Sequence, residues 1–206
     1  MISVIILIVL GFFTVLGFGK SILKEFRVGI PLAATFLAFV VGLSFVPQFH
    51  IGAFSFTLGF AIFYLNFFSL ILLFGRLSIR IATFLLVLIL SGIVYSAMQL
   101  FQYFDGNIFF RTPNLVYAIL VGFVACVISL NGKYALIISI FTMLVSNLLS
   151  QIGSPAISLD VGFDLTIVSF FTAASVYTLI DNLAKRSKKF KYYCEIYAFL
   201  DTKFDG

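Results

Sequence analysis

Hydropathy along the chain alternates between long apolar runs and short polar interruptions. Seven runs read as helices: about Ile2–Gly19, Val28–Val46, Phe56–Gly75, Ile81–Phe101, Leu115–Leu130, Tyr134–Leu149 and Gly162–Ala184. Runs of at least ~18 apolar residues are the signature of membrane-spanning helices. The breaks carry turn chemistry. Pro47 closes the second run, Asp105-Gly106-Asn107 and Pro113 punctuate the loop after the fourth, and Asn131-Gly132-Lys133 joins the fifth and sixth as a tight hairpin. The segments 47–56 and 151–164 are the ambiguous ones, readable as short loops or as extended, partly re-entrant chain. The pieces GLSFVPQFHIGAFSFTLGF and VSNLLSQIGSPAISLDVGF share a layout of helix, Pro-containing loop, Gly-Phe and helix. A parallel internal repeat would produce this, as would chance likeness between two apolar hairpins.

Charge fixes the expected threading. All Lys and Arg except Arg111 fall in the loops after the first, third and fifth runs or in the C-terminal tail. By the positive-inside rule these lie in the cytoplasm. No cation precedes the first run, and Lys20, Lys24 and Arg27 follow it, the reverse of a cleavable signal peptide. The expectation is an all-α, polytopic transmembrane bundle of about seven spans, N-terminus outside and C-terminus cytoplasmic. The bundle would occupy 1–184 and a basic-aromatic amphipathic tail 185–206, in a bacterial-type inner membrane.

Composition supports that class. Apolar residues make up 62% of the chain and charged residues 10%, against the ~25% charged residues of a soluble domain. Phe is abundant at 28 and Trp absent, so Phe and Tyr must serve as interfacial anchors. Cys126, inside an apolar run, and Cys194, in the tail, are not expected to pair.

Candidate chemistry is sparse. His50 is the single histidine, and GxSxG, HExxH, P-loop and dinucleotide fingerprints are lacking. No cofactor, metal site or nucleic-acid partner is expected, nor an enzymatic activity. Asp160 and Asp164 stand four apart at the start of the last run, and share a face if that turn is helical. Solvated acids favoured by the helix dipole are the plainer reading. No ionisable residue falls near the centre of a predicted span, where ion coupling would need one. Asn66, Tyr95, Gln99, Asn147, Asp160 and Asp164 are the candidates for a polar path or, in the plainer reading, for contacts between helices. In the tail, Lys185, Arg186, Lys188, Lys189 and Lys191 precede an aromatic stripe containing Tyr193 and Tyr197. This pattern fits a helix lying on anionic headgroups of the inner leaflet, or docking another subunit.

The ordered pieces FGKSILKEFRVGIP, GLSFVP, FSFTLGFAIFYLNFFSLIL, VSNLLSQ and LDVGFDLT resemble an uncharacterised prokaryotic family of polytopic membrane proteins described only as a domain of unknown function. The resemblance covers most of the chain, through apolar positions and a few punctuating residues. Members carry Asn-Ile-Pro after an early span, Gly-Ala-Asp-Leu-Leu-Asn late, and Phe-Asp-Gly-Ile-Phe-Leu-Thr opening the last span. Here Asn147 stands where the family has its late Asp, and Val161-Gly162-Phe163-Asp164 replaces Phe-Asp-Gly. The resemblance implies threading without a mechanism. The expected function is a non-enzymatic subunit or scaffold of a membrane complex, partnered by the bilayer and by itself or another membrane protein. The alternative is a small permease or channel for a neutral or weakly charged solute.

Overall fold

The first apolar run breaks earlier than its hydropathy implies. In the computed structural model, which describes residues 2–73, 77–103, 113–129 and 131–186, α1 covers Ile2–Val15. Gly17 then takes a left-handed φ of 93°. Its N–H donates to the Thr14 carbonyl at 3.0 Å, and the Phe18 N–H donates to the Phe13 carbonyl at 2.9 Å. These are the paired bonds of a Schellman turn, which satisfies carbonyls that a helix end leaves open. The expected loop 20–27 is instead mostly a short helix, α2 (Lys20–Glu25). It ends in a second Schellman turn, with Arg27 N–H on the Lys24 carbonyl and Val28 N–H on the Leu23 carbonyl. Here the left-handed position, φ 56°, belongs to Arg27.

α3 (Ile30–Leu43) starts with Pro31 in its first turn, where a missing N–H costs nothing. After it the fold departs from all-α. β1 (Phe49–Ile51) and β2 (Phe54–Phe56) form an antiparallel hairpin, its two-residue loop opened by Gly52 at φ 62°, a conformation that favours glycine. β3 (Ile157–Ser158) pairs parallel to β2, with Phe54 opposite Ile157 and Ser55 opposite Ser158. The two ambiguous segments thus meet in one small three-stranded sheet, order β1-β2-β3. On either side of Gly52 a polar residue stands between two large apolar ones, Phe49-His50-Ile51 and Phe54-Ser55-Phe56, the alternation a strand uses, and the apolar bulk of the chain masked that pattern. The molecule is mostly helical with this sheet at one end.

The remaining helices are α4 (Leu58–Leu73), α5 (Leu77–Tyr103), α6 (Pro113–Ser129), α7 (Gly132–Ser150) and α8 (Phe163–Arg186). The expected boundary at 184/185 falls inside α8. Among the described residues three helices, through Leu77–Leu100, Gly132–Ser150 and Phe163–Lys185, are long and apolar enough to cross a membrane. Four others are apolar but shorter, at 3–15, 30–43, 58–72 and 114–129. A helix of 14 residues is about 21 Å long, against a ~30 Å hydrocarbon core.

α7 is the centre of the packing. Ala135 to Met143 are buried without interruption, so this helix is enclosed on all sides by α5, α6 and α8. α6 and α8 approach closely at Gly122, where an added Cβ would collide with the Ser169 carbonyl. α4 reaches α8 differently, through rings. Phe60 stacks on Phe163, and Phe63 meets Phe163 and Phe170 edge-on. The outward face of α5 exposes Leu85, Leu88, Ile89 and Ile93.

Candidate functional site

The polar chemistry gathers at the two ends of the bundle, and at both ends carboxylates hold helix N-termini. At the sheet end, Asp160 serves α4. Its Oδ1 accepts from the Thr57 N–H at 2.8 Å, and its Oδ2 accepts from the Thr57 hydroxyl at 2.7 Å and the Gln48 amide at 2.6 Å. Asp164 serves α1, with Oδ1 accepting from the Ser3 N–H at 2.7 Å. At the other end, Glu25 serves α7. Its Oε2 accepts from the Lys133 N–H at 2.9 Å, and its Oε1 accepts from the Tyr177 hydroxyl. Each acid lies far in sequence from the helix it caps. A negative group at a helix N-terminus satisfies an open N–H and meets the positive end of the dipole, and an ionised acceptor strengthens the bond.

Asp160 and Asp164 therefore do not share a helical face. α8 begins only at Phe163, because Gly162 takes φ 75°, and the two carboxylates turn to different helices. Between them sits Asn147. Its Nδ2 donates to the Gly162 carbonyl at 3.1 Å, and the Thr166 hydroxyl donates to the same oxygen at 3.3 Å. The Tyr64 hydroxyl bonds Thr166 at 3.1 Å. A Cβ on Gly162 would overlap the Asn147 amide, so glycine is required twice, for its φ and for the close approach. Gln151 completes the end. It bonds the Ser158 backbone in both directions, accepting from N–H at 2.7 Å and donating to the carbonyl at 3.0 Å. Its side chain thus acts as a further strand beside β3.

Asn66 is elsewhere. It lines a cavity of about 300 Å³ bounded by α1, α2, α3, α4, α7 and α8, toward the α2 end. The walls are aliphatic and aromatic apart from Asn66 and Thr14, and the Thr14 hydroxyl is engaged with the Leu10 carbonyl. Tyr95 and Gln99 are half-buried on α5; neither lines Asn66's cavity nor takes part in Asn147's hydrogen bonds. The expected polar set thus divides between a structural cluster at the sheet end, an apolar cavity, and one face of α5. Lys185 pairs with Asp181 at 2.5 Å within α8, and Arg186 is that helix's last residue. The tail candidates Lys188, Lys189, Lys191, Tyr193 and Tyr197 lie outside the described residues.

Sequence reading missed Glu25, Tyr177 and Gly132. The signal for Glu25 was its isolation, a lone acid among Lys20, Lys24 and Arg27. In the sequence Gly132 reads as a turn residue only. A Cβ there would come within 2.9 Å of both Glu25 Oε2 and the Tyr177 ring, so it makes room for the clasp.

Neither a protein-family model, nor a curated protein, nor a solved structure matches this chain.

Proposed function

We propose that the protein is a multi-span integral membrane protein, with the three long and the four shorter apolar helices all in the bilayer, acting without catalysis of its own as a subunit or scaffold of a membrane complex. The observation that carries this reading is the use of Glu25, Asp160 and Asp164. The acids that would have been the reactive groups of a transporter or an intramembrane hydrolase tie distant helix ends together. Such bonds make a rigid body, which suits a part that presents surfaces. The apolar α5 face supplies one. The positive-inside charge distribution supports the N-terminus outside, the C-terminus in the cytoplasm, and a bacterial-type inner membrane. The permease alternative rests on Asn66 beside a cavity, whose otherwise apolar walls suit a hydrophilic solute poorly.

In-membrane photocrosslinking tests the subunit reading. A photoreactive residue placed at Leu85, Ile89 or Ile93 is expected to give one discrete protein adduct, either a second copy or a single partner, whose mass identifies it. Adducts to lipid alone at all three positions would overturn it.

A further inference from the structure

The cavity beside Asn66 combines three features that the scaffold role does not use. The first is its shape. Gly59 brings α4 onto the Val40 carbonyl and Ser44 of α3 near the sheet. Toward the other end the two helices form opposite walls of the cavity, α3 through Leu32 and Phe36 and α4 through Asn66 and Leu70. Its volume of about 300 Å³ is at the lower end of small-molecule sites (~300–1,000 Å³), and its walls would accept a hydrocarbon chain.

The second feature is the rim. Ile22 and Phe26 turn into the cavity. Lys20 directly follows the lining residue Gly19, Arg27 stands between the lining residues Phe26 and Val28, and both are exposed, as is Lys24. None of the three has an ion-pair partner among the described residues. Glu25, held by α7 and Tyr177, pins the short helix between Lys20 and Arg27 against the bundle.

The third is Arg27 itself. The turn closing α1 has glycine at the left-handed position, and the turn closing α2 has arginine there. A side chain in that conformation carries strain that glycine would relieve. Strain of this kind is a pointer to function.

We propose that this cavity binds an anionic phospholipid, one acyl chain among Leu10, Phe36, Phe63 and Leu70, and the phosphate on Lys20, Lys24 and Arg27. The Asn66 amide, which makes no side-chain hydrogen bond among the described residues, faces the ester region or chain of that lipid. The site rests on the chain being embedded in a bilayer, but not on the subunit reading.

The test uses the absence of tryptophan from the chain. Full-length protein carrying Phe36→Trp in the cavity wall, or Leu88→Trp on the exposed α5 face, is placed in phosphatidylcholine nanodiscs. Brominated phosphatidylglycerol or brominated phosphatidylcholine is then titrated in, and fluorescence quenching is read. At the Phe36→Trp probe, half-quenching by phosphatidylglycerol is expected at about a tenfold lower mole fraction than by phosphatidylcholine, since each interfacial Lys or Arg favours anionic lipid. At the Leu88→Trp probe the two lipids should match. Lys20→Gln with Lys24→Gln should abolish the preference while the tail stays intact, and so should Arg27→Gly, which relieves strain and so keeps the fold. Equal quenching by both lipids at Phe36→Trp, or a preference that survives both sets of substitutions, overturns the proposal. Absence of quenching at both probes overturns bilayer embedding instead.

Discussion

Gly162 and Asn147 show how much one atom decides at the sheet end. Gly162→Ala forces a side chain into the left-handed region, at about 1–2 kcal/mol, and drives its Cβ into the Asn147 amide. The expected total is about 3 kcal/mol or more, with loss of the Gly162 bond included, seen as a lower unfolding midpoint in mild detergent. In an Asn147→Ala background the same change should cost only the backbone part, because the clash is gone. A double-mutant cycle therefore reads the coupling directly, and additive losses would show that the two residues do not meet. Asp160→Ala should cost about 1–3 kcal/mol, because it leaves the Thr57 N–H and hydroxyl open, and Asp160→Asn about half of that. Little of this was legible beforehand. Asn147 and Asp160 stood out as polar residues in an apolar chain, but their partners, Gly162 and Thr57, are fixed by loop closure across 15 and 103 residues. Glu25 was concealed because three neighbouring cations gave its loop another meaning.

The helices differ in how they meet, and glycine marks the difference. At Gly122 α6 lies against the backbone of α8, whereas Gly92 on α5 has nothing within 4 Å of an added Cβ. Gly122→Leu is therefore expected to part α6 from α8 and cost more than the ~1–3 kcal/mol typical of overpacking, since the obstacle is a carbonyl that cannot rotate away. Gly92→Leu should be neutral or slightly stabilising, because a helix interior gains when glycine is replaced. Limited proteolysis of both variants in the same detergent separates the outcomes, and equal resistance would contradict the packing. The apolar segments themselves were visible in hydropathy, since burial and lipid exposure ask for the same side chains. The same fact hid α2 and the sheet. Hydropathy gives no period where both faces of a segment are apolar, so only Gly17, Gly52 and their φ angles reveal where helix yields to turn or strand. Arg27→Gly is the complementary case, with an expected gain of about 1 kcal/mol in stability from the relieved turn.

On the scale of the whole molecule, three of the short helices, α1, α3 and α4, are set apart by what closes their ends, whereas the short α6 packs on the long α7 and α8. α5, α7 and α8 have bilayer length, whereas α1, α3 and α4 fall short of it and are closed at one end by the sheet and at the other by α2. A short apolar helix is accommodated by local thinning of the bilayer or by flanking residues that reach the interface, and both ends here carry such residues. Phe49, Ile51 and Phe54 stand exposed on the sheet, and Lys20, Lys24 and Arg27 on and beside α2. The aromatic end and the cationic end are chemically distinct, so orientation can be measured without knowing the function. With Cys126 and Cys194 replaced by Ser, a single cysteine at Ser154 on the sheet end or at Lys24 on the α2 end reports which side it faces. An impermeant maleimide applied to intact cells is expected to label Ser154→Cys and to reach Lys24→Cys only after permeabilisation. The reverse pattern would invert the bundle and move the basic rim to the outer leaflet. Labelling of both from one side would overturn the threading itself, because Glu25 is bonded to the first turn of α7 and Ser154 follows its last, so a spanning α7 separates the two probes.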